Sequence, residues 1–102
     1  MNTVILDGKI MYDPELKETK KGIAWITFLL DTSIPMKEGK RRSVKVRCVA
    51  FDKCAKSLFK QFKKEDKILI RGRLSVKMMV SEEGHKKKFL EIIIREYEKP
   101  EA

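Results

Sequence analysis

The stretch VKVRCVAFDKCAKSLFKQFKKEDKILIRGRL, residues 44–74, changes its hydrophobic period twice. In its first part Val44, Val46, Cys48 and Ala50 alternate with Lys45, Arg47, Val49 and Phe51, the two-residue repeat of a strand with unlike faces. From residue 52 the repeat lengthens. Ala55, Leu58, Phe59 and Phe62 recur at i, i+3, i+4 and i+7, which predicts an amphipathic helix of about three turns with Asp52 as its N-cap. From Lys67 the alternation returns. Ile68, Ile70, Gly72, Leu74, Val76 and Met78 fall on one side, and Lys67, Leu69, Arg71, Arg73, Ser75, Lys77 and Met79 on the other. A lone helix held between two strands in mid-chain therefore governs the choice of architecture.

Strand signals flank this core on both sides. Residues 3–12, TVILDGKIMY, alternate Val4, Leu6, Gly8, Ile10 and Tyr12, with a glycine that can bend the strand. Asp13 and Pro14 break the pattern, and Gly22 closes a loop before residues 23–35, IAWITFLLDTSIP. There Ala24, Ile26, Phe28 and Leu30 share the predicted inner face, and Trp25, Thr27 and Asp31 the outer. The loop MKEGKRRS, residues 36–43, is basic and has no apolar period. After the turn SEEGHK, residues 88–97, KFLEIIIREY, form a last strand whose inward parity is ambiguous, because Ile92, Ile93 and Ile94 are consecutive.

Three strands, a helix and two strands fit the five-stranded Greek-key barrel called the OB-fold, with the helix between the third and fourth strands. An antiparallel sandwich needs more strands, and a split β-α-β unit does not place three strands before its first helix. By strand parity Met78 is expected in the core with Leu74 and Val76, and Met79 outside beside Lys77 and Arg73.

The chain has 102 residues, enough for one domain over residues 1–102 and one hydrophobic core. Its 24 Lys and Arg against 15 Asp and Glu leave a net charge of +9, which favours a polyanionic partner, nucleic acid or an anionic membrane surface. No apolar run approaches the ~20 residues of a membrane span, and the first residues lack the parts of a signal peptide, so a cytoplasmic location is expected. Cys48 and Cys54 have neither zinc-site nor C-x-x-C spacing and read as free thiols, while His85 falls alone in a turn. No phosphate loop, nucleophile elbow or metalloprotease motif is present, so neither enzymatic activity, a cofactor nor a metal is expected.

The charges are not evenly spread. Lys45, Arg47, Lys67, Arg71, Arg73 and Lys77 all have the parity opposite to the apolar series, and no acid interrupts them within residues 44–51 and 67–80. Solvent faces usually mix both signs. Lys37, Lys40, Arg41 and Arg42 extend the basic surface through the loop, and Lys86 and Lys87 add to it after the last turn. Single-strand binding requires such cations for phosphates together with flat or polarisable groups for bases. Phe51, Met79 and, if its face is the same, Trp25 supply the latter. Trp25 suits an oligomer interface equally well.

VILDGKIMYDPELKETKKGIAWITFLL, RCVAFDKCAKSLFKQFKKEDKILIRGRL with its Gly72-Arg73-Leu74, and SEEGHKKKFLEIII together resemble the bacterial-type single-stranded DNA-binding proteins across nearly the whole chain. The resemblance implies an OB-fold that binds single-stranded DNA without strong sequence preference, in replication, recombination or repair, associated with the nucleoid. It also implies assembly as a homotetramer or homodimer. Positions where the family commonly carries stacking aromatics correspond to Met36, Lys45, Phe51 and Met79, of which only Phe51 is aromatic. The family usually continues into a linker with an acidic tip, whereas this sequence ends REYEKPEA, and a tailless form is similar to primosomal replication protein N. The alternative is a primosome-like assembly module that docks a helicase, primase or polymerase, with DNA binding secondary; RNA as the ligand is a third possibility.

Overall fold

The alternating segments pair as antiparallel strands because each has an apolar side to bury and a backbone whose polar groups need partners. The computed structural model describes residues 1–100; Glu101 and Ala102, the end of the expected domain, lie outside the described residues. In chain order the elements are β1 (Val4–Ile10), β2 (Glu15–Glu18), β3 (Ala24–Pro35), a 3-10 turn (Lys37–Gly39), β4 (Arg41–Phe51), α1 (Asp52–Gln61), β5 (Lys67–Val80) and β6 (Lys86–Glu98).

The sheet order β1-β5-β6-β4-β3 is closed by a further β1–β3 pairing, giving the five-stranded barrel of the OB-fold with one helix on it. One strand more is present than the sequence predicts. Glu15–Glu18, read as loop, forms the short edge strand β2 against Ala24–Thr27 of β3, so the helix falls between the fourth and fifth strands in chain order. All four β2 residues are exposed, so no buried face writes an alternation into the sequence.

Two glycines let the barrel close. β1 pairs with β5 from Val4 to Lys9 and with β3 at Lys9 and Ile10, so it must change neighbours within a few residues. At Gly8 a Cβ would lie 2.3 Å from the Asp31 carbonyl oxygen, and at Gly72 it would lie 2.0 Å from that of Ile93. Both contacts are with backbone, which cannot move aside cheaply. Beside Gly72 the β5–β6 register shifts, after which β6 also meets β4 in parallel at Cys48–Ile92 and Val49–Ile93.

Inside the barrel Ile10, Ile26, Phe28, Leu30, Cys48, Ala50, Ile68, Ile70, Ile92 and Ile94 pack with Ala55, Leu58 and Phe62 around the helix. The isoleucine run is thereby resolved: Ile92 and Ile94 point in, and Ile93 lies half-buried on the outside. Tyr97 ties the end of β6 to the helix, edge-on to Phe62 at 5.4 Å and hydrogen-bonded through its hydroxyl to Ser57.

Three local expectations fail. Asp52 does not cap the helix: Phe51 is the N-cap residue, no side-chain cap hydrogen bond forms, and Asp52 itself is left-handed at φ 55°. Phe59, which shares the helical spacing of Ala55, Leu58 and Phe62, is exposed while those three are buried. Met78 is not in the core. Beyond Leu74, β5 and β6 continue as a two-stranded ribbon, so Leu74 at its root and Val76 and Met78 along it keep the inward parity yet remain exposed, Met78 by 50%.

Replacing Gly8 or Gly72 with alanine is expected to lower unfolding free energy by about 1–3 kcal/mol or more, through overpacking against fixed backbone. Urea denaturation midpoints read this directly. Burial raises the Cys48 thiol to about 12 and also raises Cys54. In the native protein at neutral pH, Cys54 should therefore react slowly with an aromatic disulfide reagent and Cys48 only on unfolding. Since both folded-state shifts are upward, the stability they contribute is complete below the unfolded thiol pKa, ~8.5, and for Cys48 is lost as pH rises through about 12.

Candidate nucleic-acid interface

β4 pairs with β3 over its whole length, and strand parity then fixes an outer face of cross-strand pairs: Trp25–Phe51, Thr27–Val49, Leu29–Arg47 and Asp31–Lys45. Trp25 therefore shares its side of the sheet with Phe51. It is half-buried, with the Lys17 ammonium 5.3 Å and the Lys77 ammonium 5.7 Å from its ring. Phe51 is 43% exposed at the strand end. The β5–β6 ribbon approaches this face, so that Trp25, Val49, Phe51, Arg47, Lys77 and Glu91 line one groove of about 490 Å³.

The cationic rows are less free than the sequence implies. β6 lies between β4 and β5, so acids remote in sequence enter the rows. Arg47 Nε donates to Glu91 Oε2 at 3.0 Å, and Arg71 meets Glu96 at 3.8 Å. Glu91 is only 8% exposed, and its Arg47 partner provides the charge that a buried carboxylate requires. The rows also diverge. On a closed barrel outward means radial, so Lys67 stands opposite Lys9 of β1, while Arg73 stands opposite Ile93 and Lys77 opposite Phe89.

The remaining candidates form separate groups. Met36, Lys37 and Lys40 occupy the exposed β3–β4 turn, where the Met36 N–H donates to the Lys40 carbonyl at 2.6 Å. Arg41 is anchored on Ser33, donating from Nε and Nη2 to Oγ at 3.0 and 2.9 Å, and with Arg42 borders another groove. Lys45 pairs across the strands with Asp31, whose carboxylate accepts from the Ser43 hydroxyl. At the ribbon tip Met79 faces Lys87 and Val80 faces Lys86, beside the acidic turn residues Glu82 and Glu83.

Two side chains at this surface escape the sequence reading. Lys17 lies on the unexpected strand β2, and no periodicity marks it. Phe89 is exposed opposite Lys77, and only its parity with Glu91 and Ile93 would have placed it there; the consecutive isoleucines conceal that parity.

The closed barrel, with Trp25 and Phe51 beside two lysines on one face, has the architecture of the OB-fold class. The comparison with known families is narrower: the model of the single-strand binding protein family matches residues 1–99, and the chain belongs to that family. It is 35% identical over 86 residues to a single-stranded DNA-binding protein of Fusobacterium nucleatum, covering 80% of this chain and 56% of that protein. It is 30% identical over 95 residues to single-stranded DNA-binding protein 3 of Listeria innocua, covering 91% and 59%. With single-stranded DNA-binding protein 1 of Lactococcus lactis it shares 32% over 95 residues, covering 91% and 63%. The chain thus spans less than two thirds of the length of these relatives.

Arg47→Met should strand the Glu91 carboxylate and cost about 1–3 kcal/mol of stability. Arg73→Met, which removes no ion pair among the described residues, should change the urea midpoint little.

Proposed function

We propose that this chain binds single-stranded DNA with little sequence preference, through the outer face of β3 and β4, as a nonenzymatic component of replication, recombination or repair. The Trp25–Phe51 pair bracketed by the Lys17 and Lys77 ammonium groups carries the proposal. Aromatic faces stack on any base, and lysines beside them neutralise phosphates without reading sequence. The names of the relatives, all single-stranded DNA-binding proteins, support the same ligand.

Because Met36, Lys45 and Met79 stand where relatives commonly stack, affinity leans on cations and falls steeply with salt. The loop residues Lys37, Lys40, Arg41 and Arg42, ribbon residues Arg73, Lys77, Lys86 and Lys87, and the half-exposed Met79 contribute through phosphate and edge contacts. Arg47 and Arg71 contribute less, since each already faces a carboxylate.

Self-association completes the proposal. Ile5 on β1 and Leu74, Val76, Met78, Val80 and Leu90 on the ribbon are exposed apolar side chains, the last five of one parity. A ribbon face of this kind is covered when copies assemble into a dimer or tetramer. Light scattering at micromolar concentration should give a mass above the 12.0 kDa protomer; a monomer removes this part of the proposal.

Trp25 is the single tryptophan, so its fluorescence reports on the groove. Oligothymidine should quench it and a matched duplex should bind far more weakly, with affinity for the single strand declining as salt rises. Phe51→Ala is expected to weaken oligothymidine binding by about 1–3 kcal/mol, roughly 5- to 150-fold. Equal or absent binding of single strand and duplex overturns the proposal.

A further inference from the structure

On another part of the barrel, β1, β3, the start of β4 and the start of β5 border a groove of about 570 Å³. Its lysines, Lys9 and Lys67, are direct cross-strand partners in the β1–β5 ladder. Like charges placed opposite each other destabilise a strand pair. Among the described residues neither has a carboxylate within 4.0 Å. Arg41 and Arg42 line the same groove from β4, Arg41 held in place by Ser33.

Two acids are also present, Asp7 and Asp31. Asp31, which accepts the Ser43 hydroxyl, also stands opposite Lys9 on β3; the two carboxylates reduce the positive charge of the groove without cancelling its four cations. The clustering is a product of barrel closure. At Gly8 β1 passes so near the Asp31 backbone that Lys9 is delivered opposite Asp31 in the second half of β3, whose last residues pair with the arginines at the start of β4.

We infer that Lys9 and Lys67, with Arg41 and Arg42, form a second phosphate-binding cleft that holds a further segment of the single strand bound at Trp25 and Phe51. The inference rests on the function proposed above and adds Lys9 and Lys67, neither of which belongs to the aromatic groove. The ligand class is a phosphodiester backbone. Among the described residues no aromatic side chain lines the groove to stack a base, so its contacts are electrostatic and independent of sequence. Phosphates add to the Asp31 carboxylate, which stands opposite Lys9 on β3, in offsetting the repulsion between the paired lysines.

Oligothymidines of increasing length, titrated at several salt concentrations, test this with the full chain and the double variant Lys9→Gln, Lys67→Gln. On lengths that saturate the affinity of the unaltered chain, the variant should bind more weakly, with a salt slope shallower by about 1.4, two phosphates at ~0.7 each. On the shortest strand that still quenches Trp25, the two proteins should bind alike. Lys9→Arg, Lys67→Arg should restore the steeper slope, which separates charge from any change in folding. An unchanged slope and affinity on long strands, with the aromatic groove still binding, overturns the second cleft alone. Failure of the unaltered chain to bind any oligothymidine overturns the proposed function instead.

Discussion

Barrel closure by β6 is the constraint on which the rest of this structure depends. A strand from the end of the chain must enter between β4 and β5, pairing antiparallel with one and parallel with the other, while β1 bridges β5 to β3. Only a glycine at position 72 allows the β5 and β6 backbones to approach as they do, because any Cβ there would overlap the Ile93 carbonyl. Gly8 plays the equivalent part where β1 crosses β3. The core is what these crossings enclose. Ile10, Ile26, Ile68, Ile70 and Ile92 meet because the strands that carry them are bent into one ring.

The same insertion rearranges the electrostatics of the outer surface. Considered strand by strand, β4 and β5 present uninterrupted cations. Once β6 lies between them, Glu91 and Glu96 reach Arg47 and Arg71, and part of the basic surface becomes ion-paired structure. Among the described residues Lys77, beside Trp25, and Lys9 and Lys67, where β1 meets β5, have no such partner, while Lys17 at the Trp25 ring also lies 3.6 Å from the Glu15 carboxylate. Closure thus gives Arg47 a nearly buried carboxylate partner and leaves other cations on the surface, where a polyanion can reach them.

Past the barrel the chain follows a different rule. The β5–β6 ribbon satisfies its backbone by pairing with itself, but it has no layer to cover its inward side. The adjacent methionines illustrate the difference. Met78 and Met79 point to opposite sides of the ribbon, as alternation requires, and both remain about half exposed. Their flexible thioethers are suited to a surface that adapts to what it touches rather than one that fills a fixed space.

How much was legible in advance follows from the range of the interactions involved. Ala24, Ile26, Phe28 and Leu30 announced their strand, Ala55, Leu58 and Phe62 the helix, and the order of these periods the OB barrel, because periodicity is set by the local geometry of the backbone. The basic excess and the outward parity of Trp25 and of Phe51, each within its own strand, were legible for the same reason, whereas their sharing one face came only from the β3–β4 register. The short strand β2 was not, since an edge strand with no buried face leaves no pattern, and Lys17 was lost with it. The sequence by itself determined which side of its own strand each residue occupies. Tertiary structure alone decided what stands opposite, whether a carboxylate at Arg47, a second lysine at Lys9 or open solvent at Met78, because those neighbours are brought in by pairings that span most of the chain.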